Sequence, residues 1–247
     1  MRFENKVVFI TGGTSGIGLA AAIEFSKEGA TVIINSRKNI AKKKINSIFS
    51  VHSNKVHFVK GDMSKEDNVK KVIDSIHKKY KKLDIVVNSA GISQNRKYHQ
   101  ITLNDWYKII DNNITNTFLV SKKAIEIMKP KKYGKIINIS SVAARNRSKL
   151  AGLHYSLAKS AVITLTRQMG AEVASMGINI NCLAPSQTNT NMLKPFLTKK
   201  NKKLLADIIP LGRVAEPQEQ AKVILFLASD DANYMVGSIV DVNGGQI

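Results

Sequence analysis

The chain has 247 residues, 43% of them hydrophobic, and carries 38 Lys and Arg against 18 Asp and Glu, a formal charge of +20. That length and apolar content suit one α/β domain with a substantial core, and no repeat, low-complexity tract or Pro/Gly/Ser-rich linker divides residues 1–247. The single cysteine, Cys182, excludes an intrachain disulfide; no apolar run approaches bilayer length, and residues 1–6 lead straight into a strand pattern, so a cytoplasmic protein without a signal peptide is expected.

The positive balance is compatible with nucleic acid, a membrane surface or acidic substrates and partners. Its lysines, however, cluster at loops and helix ends, in 42–44, 78–82, 129–135 and 194–203. No stacking aromatic series, recognition motif or continuous basic helix accompanies them. The charge reads as a solvated surface, with neither nucleic acid nor membrane as an expected partner.

Residues 6–10 read as a buried strand, followed by Thr11-Gly12-Gly13-Thr14-Ser15-Gly16-Ile17-Gly18 and an Ala-rich amphipathic segment over 19–27. Strand, glycine loop and helix form the context of a dinucleotide-binding turn. Glycines allow close backbone approach to a pyrophosphate, and the helix start offers free N–H groups and a positive dipole end. A ligand-free glycine turn is the plainer alternative. Further apolar runs at 30–36, 56–60 and 83–87 predict parallel strands. Ser64, with Asp67 three positions on, reads as a variant capping box opening the next helix.

Residues 103–128 carry one long helical pattern with Trp106, Ile109, Ile110, Ile114, Phe118 and Ile125 on a broad apolar face, so Trp106 and Phe118 are expected in the core. Asn113 interrupts this pattern at a modest propensity cost. A strand over 135–140 ends at Ser141, and a helical pattern begins near Gly152. Tyr155 and Lys159 lie one turn apart on one face of it, and the intervening loop can bring Ser141 opposite them. A free phenol titrates near ~10, and an adjacent ammonium favours phenolate, lowering that value by about 1–3 units. Such a trio suits proton transfer to or from a carbonyl or alcohol oxygen. Chance Tyr-x-x-x-Lys spacing on a surface helix is the rival. A strand over 178–184, an amphipathic helix over 216–229 and a last strand over 238–242 follow.

The five histidines, His52, His57, His77, His99 and His154, show no metal-ligand spacing with cysteine or carboxylates, and no metal is implied. His154 abuts Tyr155 but points about 100° round the helix, a supporting or structural position. No Gly-x-Ser-x-Gly elbow surrounds Ser141, which argues against a hydrolase triad.

With both motifs in hand, the chain resembles the short-chain dehydrogenase/reductase family over essentially its whole length. The Thr-Gly-x-x-x-Gly-x-Gly spacing, Asn88-Ser89-Ala90-Gly91, Asn113, Tyr155 with Lys159, Pro185 and Val242-Asn243-Gly244-Gly245 carry the resemblance. It implies one doubly wound Rossmann domain with a mostly parallel seven-stranded sheet and helices on both faces. It implies hydride transfer between NADP(H) and a carbonyl/alcohol pair, with Tyr155 as acid or base and Ser141 orienting the oxygen. Lys159 would tune Tyr155 and hold the nicotinamide ribose, while Asn113 would bend its helix and hold a water in a relay to Lys159.

The implied cofactor contacts are Gly12, Thr14, Ser15, Gly16, Ile17 and Gly18 in the loop, Asp62 and Met63 at the adenine, and Asn88, Ala90 and Gly91 on the floor. Pro185, Thr188 and Thr190 would meet the carboxamide and pyrophosphate, beside Tyr155 and Lys159. Ser36 matches the position of an acidic residue that would bind a ribose diol, and Arg37 follows it. A hydroxyl and a guanidinium suit a 2′-phosphate instead, which implies NADP; basic residues opening a surface helix are the alternative. Asp62 is equally explained by turn chemistry. Ser89 stands where a second Asn is usual, and Ser186 where Gly is, so the latter turn differs or is strained.

The polar segment 189–207 resembles a substrate lid. Overall pattern is closest to 3-oxoacyl-[acyl-carrier-protein] reductases, with a reductase of a sugar, nucleotide-sugar or small polyol as the rival, and a cofactor-binding regulator without turnover as a distant one. Residues 88–96 depart from the reductase pattern. A homotetramer or dimer is implied. Arg145, Arg147 and Lys149, with Lys194, Lys199 and Lys200, predict a basic rim that favours an anionic or carrier-bound substrate.

Overall fold

Strand β1, Val7–Thr11, is buried at all five positions, as its unbroken apolar run requires of a strand covered on both faces. In the computed structural model, which describes residues 1–49, 55–148, 150–196, 205 and 207–247, it lies centrally in a sheet with β2 (Thr31–Ser36), β3 (Val56–Lys60), β4 (Ile85–Asn88), β5 (Gly134–Ile139), β6 (Ile178–Pro185) and β7 (Ile239–Val242). The order is β3-β2-β1-β4-β5-β6-β7. Every neighbouring pair is parallel, β6 and β7 included, so the expected sheet forms without an antiparallel edge. The order reverses between β1 and β4, which opens a crevice beyond their carboxyl ends.

Helices cover both faces. α1 (Gly16–Lys27), α2 (Lys42–Phe49) and a carboxyl-terminal helix, Pro217–Ala228, share one cluster that includes Phe25, Ile34, Ile137 and Leu225. α3 (Glu66–Tyr80), α5 (Asn116–Met128) and part of α6 (Leu153–Val173) cover the other face, where Phe9, Ile73, Val86 and Val120 meet.

The single helix expected over 103–128 is divided. α4 (Leu103–Ile110) passes into a π-helical turn, Asp111–Thr115, before α5 begins. The widened turn frees carbonyls that asparagines take up: Asn113 Nδ2 donates to Ile109 O and Ile92 O, and Asn116 Nδ2 to Asn112 O. Phe118 is 42% exposed rather than in the core, and Trp106 is half-buried. The expected Ser64 cap also differs. α3 starts after Lys65, while Ser64 N–H and Oγ donate to Asp62 Oδ1 in an Asx turn. At Ser186 the backbone stays out of the positive-φ region, so the turn that usually takes glycine is built here without strain.

Of the segment 189–207 proposed from sequence as a lid, residues 197–204 and 206 lie outside the described residues, as do Lys149, Lys199, Lys200 and His52. No helix among the described residues is long and apolar enough to cross a membrane.

Candidate active site

Two adjoining cavities occupy the crevice. One, of about 250 Å³, is lined by Gly12, Ser15, Gly16, Ile17, Ala90, Gly91, Ser141, Tyr155, Lys159, Pro185, Thr188 and Thr190. The second, of about 370 Å³, is lined by Thr14, Ser36, Arg37, Asp62 and Met63 and shares Gly12, Ser15, Ala90 and Gly91 with the first. The shared residues join them into one groove across β1 and β4. Gly18, Asn88 and Asn113 line neither cavity and lie behind its walls.

The glycine loop leaves no room for side chains on its inner side. Gly12 has φ +66°, and a Cβ there would lie 2.9 Å from Ala90 Cα. A Cβ on Gly18 would lie 2.7 Å from Gly12 O, so α1 presses directly on the loop. Ser15, the N-cap of α1, makes no side-chain cap bond. The helix start therefore presents backbone N–H groups and its positive end to the groove, a fit for the pyrophosphate of a dinucleotide. Ala90 N–H donates to Thr11 Oγ1 and Ala90 O accepts from Asn116 Nδ2, which fixes the opposite wall. Asn88 is a brace: its Nδ2 donates to Ser121 Oγ and Asn138 Oδ1.

At the far end of the second cavity Arg37 Nη1 donates to Asn112 Oδ1 at 2.8 Å, and Ser36 Oγ donates to Lys38 O. The Met63 side chain is buried in the core beneath the groove. Asn112 and Asn116 line this cavity too; the polar run Asn112, Asn113, Asn116 inside an apolar helix pattern was their only signal in the sequence.

In the first cavity, Ser141 caps a short 3₁₀ turn, Val142–Ala144, its Oγ accepting from Ala143 N–H at 3.1 Å. Tyr155 is buried and lines the same cavity as Ser141. Lys159 is 5% exposed and its Nζ donates to Ile139 O at 2.8 Å. Its backbone carbonyl accepts from Ser140 Oγ at 2.7 Å, so the end of β5 holds this turn of α6 from both sides. The Nζ lies 5.8 Å from the Tyr155 ring centroid.

The electrostatics correct the expected lowering of the phenol by the ammonium. Burial pushes Tyr155 up to about 12, only partly opposed by the Ser141 hydrogen bond. Burial also brings Lys159 down to about 8. Both shifts follow from desolvation of the charged form. Asn113 Oδ1 is buried with no hydrogen-bond partner. A Cβ added to Gly91 would meet Asn113 Oδ1 at 2.7 Å and Lys159 Nζ at 3.4 Å, so both groups flank that glycine.

The outer wall of the first cavity comes from Ser93, Ser148, Leu150, Ala151, Met192 and Phe196. Of the basic rim, Arg147 and Lys194 are exposed, whereas Arg145 Nη2 pairs with Asp241 Oδ2 of β7 at 2.9 Å. No group of three metal-ligating side chains occurs among the described residues.

This groove, with a glycine loop at one end of β1 and a Ser/Tyr/Lys cluster beyond β5, brings together the parts that a nucleotide-dependent oxidoreductase on a doubly wound sheet requires. A family model described as Enoyl-(Acyl carrier protein) reductase matches residues 12–246. A 3-oxoacyl-[acyl-carrier-protein] reductase of Thermotoga maritima is 34% identical, with all of both chains covered, and one of Aquifex aeolicus is 33% identical over 99% of this chain and 98% of its own. A 3beta-hydroxysteroid dehydrogenase of Mediterraneibacter gnavus is 34% identical over 99% of this chain and 95% of its own. Among solved structures, ElxO with NADP bound superposes with a TM-score of 0.93 at 34% identity, covering 98% of each chain. The chain belongs to the short-chain dehydrogenase/reductase family and is an oxidoreductase acting on carbonyl and alcohol groups.

Proposed function

We propose that the protein is an NADP(H)-dependent reductase of 3-oxoacyl thioesters. The observation that carries the reaction class is the meeting of Ser141, Tyr155 and Lys159 in a cavity continuous with one that ends at Arg37. Residues 189–207 are proposed as the lid, with Met192 and Phe196 already against the substrate cavity. The thioester is favoured by the two acyl-carrier reductases covered end to end, and by the weakly polar outer wall.

NADPH, when bound, supplies the hydride. The loop N–H groups and α1 would hold its pyrophosphate, and Arg37 with Ser36 would hold the 2′-phosphate. Ser141 Oγ accepts from Ala143 N–H, which leaves its own proton free to hold the substrate oxygen. Tyr155, protonated throughout the neutral range, donates its proton to that oxygen as negative charge develops on it. The Lys159 ammonium then stabilises the phenolate left behind, a stronger interaction in this buried site than in water. Asn113, with a free buried oxygen behind Gly91, supports reprotonation from that side.

The test is NADPH oxidation by the protein with acetoacetyl thioesters, a 3-ketosteroid and keto-sugars in parallel. Thioester turnover at least ten times that of the others supports the reading, a threshold of about 1.4 kcal/mol in transition-state binding. A leading keto-sugar or ketosteroid rejects the substrate while keeping the reaction class.

A further inference from the structure

His154 is fully buried, one position before Tyr155 in the first turn of α6. Its Nε2 lies 3.0 Å from Gln94 Oε1, 60 positions away on the segment between β4 and α4. Gln94 Nε2 in turn lies 3.1 Å from Asp105 Oδ1. The direction of this chain of bonds follows from chemistry. Several donors, Thr102 N–H and Oγ1 among them, and the Arg96 guanidinium converge on the Asp105 carboxylate. They hold it below its usual carboxylate range, the Thr102 hydrogen bond first, then Gln94. A carboxylate cannot donate, so the Gln94 amide nitrogen faces it and the amide oxygen faces the imidazole. His154 must therefore carry its proton on Nε2 and donate it to Gln94.

His154 Nδ1 is then a bare acceptor, buried with no partner. It sits where a Cβ on Gly152 would come within 2.9 Å, and Gly152 N–H itself donates to Gln94 O at 2.8 Å. A proton on Nδ1 would have no acceptor, and burial favours the neutral ring by pushing its pKa down, against the Asp105 charge and with that of Arg96. The segment is fixed at its other end by Asn113 Nδ2 on Ile92 O. Ile92 packs against the cluster of Ile109, Ala143, Tyr155 and Ala158, and Ser93 lines the substrate cavity.

We propose that His154 is a positioning residue: its Nε2–H bond to Gln94 clasps residues 92–96 to the first turn of α6 and so holds Tyr155 and the Ser93 wall in their reacting arrangement. The proposal rests on the reading of Tyr155 as proton donor. The Asp105–Gln94–His154 chain supplies direction as well as contact, since the charge at one end dictates the tautomer at the other.

The experiment compares His154→Gln with His154→Asn. A Gln amide nitrogen reaches the position of Nε2 and can still donate, whereas an Asn amide stops at the position of Nδ1. Hydrogen exchange of residues 92–96, measured without NADPH or ketone, is expected to stay slow in His154→Gln and to rise about tenfold in His154→Asn, the equivalent of one lost hydrogen bond. At a temperature where both variants are folded, kcat is expected within about twofold of the parent for Gln and about tenfold lower for Asn, with NADPH affinity unchanged in both. Unchanged exchange in His154→Asn, unchanged kcat despite faster exchange, or equal losses in both variants would each overturn the clasp. Tyr155→Phe is measured beside them: retained turnover there counts against the function reading, while its loss with full activity in His154→Asn counts against the clasp alone.

Discussion

Arg37 Nη1 donates to Asn112 Oδ1 at 2.8 Å, so the end of β2 is joined to the π-helical turn across the mouth of the second cavity. The bond occupies one of five guanidinium N–H groups and leaves the others for the proposed 2′-phosphate. Charge-assisted bonds of this kind correspond to ~10–100-fold in affinity. NADPH is expected to be preferred over NADH, Arg37→Ala to remove most of that preference, and Asn112→Ala a smaller part of it by leaving the guanidinium unheld. Ratios of kcat/KM for the two cofactors check this, and equal values in the parent protein would refute the assignment.

Removing the transferable proton separates chemistry from binding. Tyr155→Phe keeps the ring in the cluster with Ile109, Ala143 and Ala158, so NADPH affinity and stability are expected to hold while turnover is lost. Ser141→Ala removes the oxygen that accepts from Ala143 N–H and the hydroxyl proposed to hold the substrate oxygen. Its turnover is expected to fall by about 10²–10³, the scale of one preorganised donor. More than a tenth of the parent rate in Tyr155→Phe would show the wrong acid has been named.

The buried ammonium sets a pH limit. Lys159 is brought down to about 8, while Tyr155 keeps its proton to about 12. As pH rises through 8 the lysine loses the charge that stabilises the phenolate, so kcat/KM for reduction is expected to decline above that pH. Lys159→Arg, which holds its charge, should move this limb beyond pH 10 even at a reduced absolute rate. The folded-state value lies below the unfolded one of 10.5. The unfolded chain thus binds more protons between the two values, and the Lys159 contribution to stability rises with pH across that window. The cost of burying its charge is complete below pH 8. Replacement by Met should therefore stabilise the protein more at pH 7 than at pH 10, as read by denaturant midpoints.

The strands were legible because parallel strands covered on both faces appear as continuous apolar runs, and the two motifs because their spacing is local. The π-turn at Asp111–Thr115 was not, since apolar periodicity runs straight through it and only the cluster of asparagines marks it. The raised phenol of Tyr155 is equally illegible, because helical spacing does not show that its hydroxyl is buried. Helical spacing places Lys159 one turn away, but its Nζ turns to Ile139 O, a carbonyl of another element. Pairings such as Arg145 with Asp241 or His154 with Gln94 join positions far apart in the chain, and nothing in either local sequence announces the partner.

Assembly is expected to bury the outer surface of α4, α5 and α6. Leu103 (73% exposed), Tyr107 (60%) and Phe118 (42%) stand on the first two, and Leu153 and Leu157 on the third. Full burial of each such side chain contributes about 1.5–3 kcal/mol, and most soluble oligomers pair one such patch with its copy about a two-fold axis. A dimer or tetramer is expected by light scattering at micromolar concentration, and Tyr107→Glu with Phe118→Glu should yield a smaller species. A parent protein that is monomeric throughout would contradict this surface.

Recruitment of an anionic substrate by the basic rim is narrowed by the ion pair of Arg145 with Asp241. That guanidinium ties the loop after Ser141 to β7 and its charge is largely matched, so reversing it would place two carboxylates together and disturb the loop. Arg145, Arg147 and Lys194 are all exposed, but of these only Arg145 is in an ion pair among the described residues, so a test falls on the other two. Screening length drops from ~10 Å at 0.1 M salt to ~3 Å at 1 M. With NADPH saturating at every salt, kcat/KM for an acyl thioester on an acidic carrier is expected to fall steeply over that range, while a small neutral ketone changes little. Arg147→Glu with Lys194→Glu should reproduce at low salt part of the loss that high salt causes in the parent. A common response of both substrates to salt, or no effect of the double reversal, would mean that the rim is compositional and the carrier, if one is used, is held by contacts other than charge.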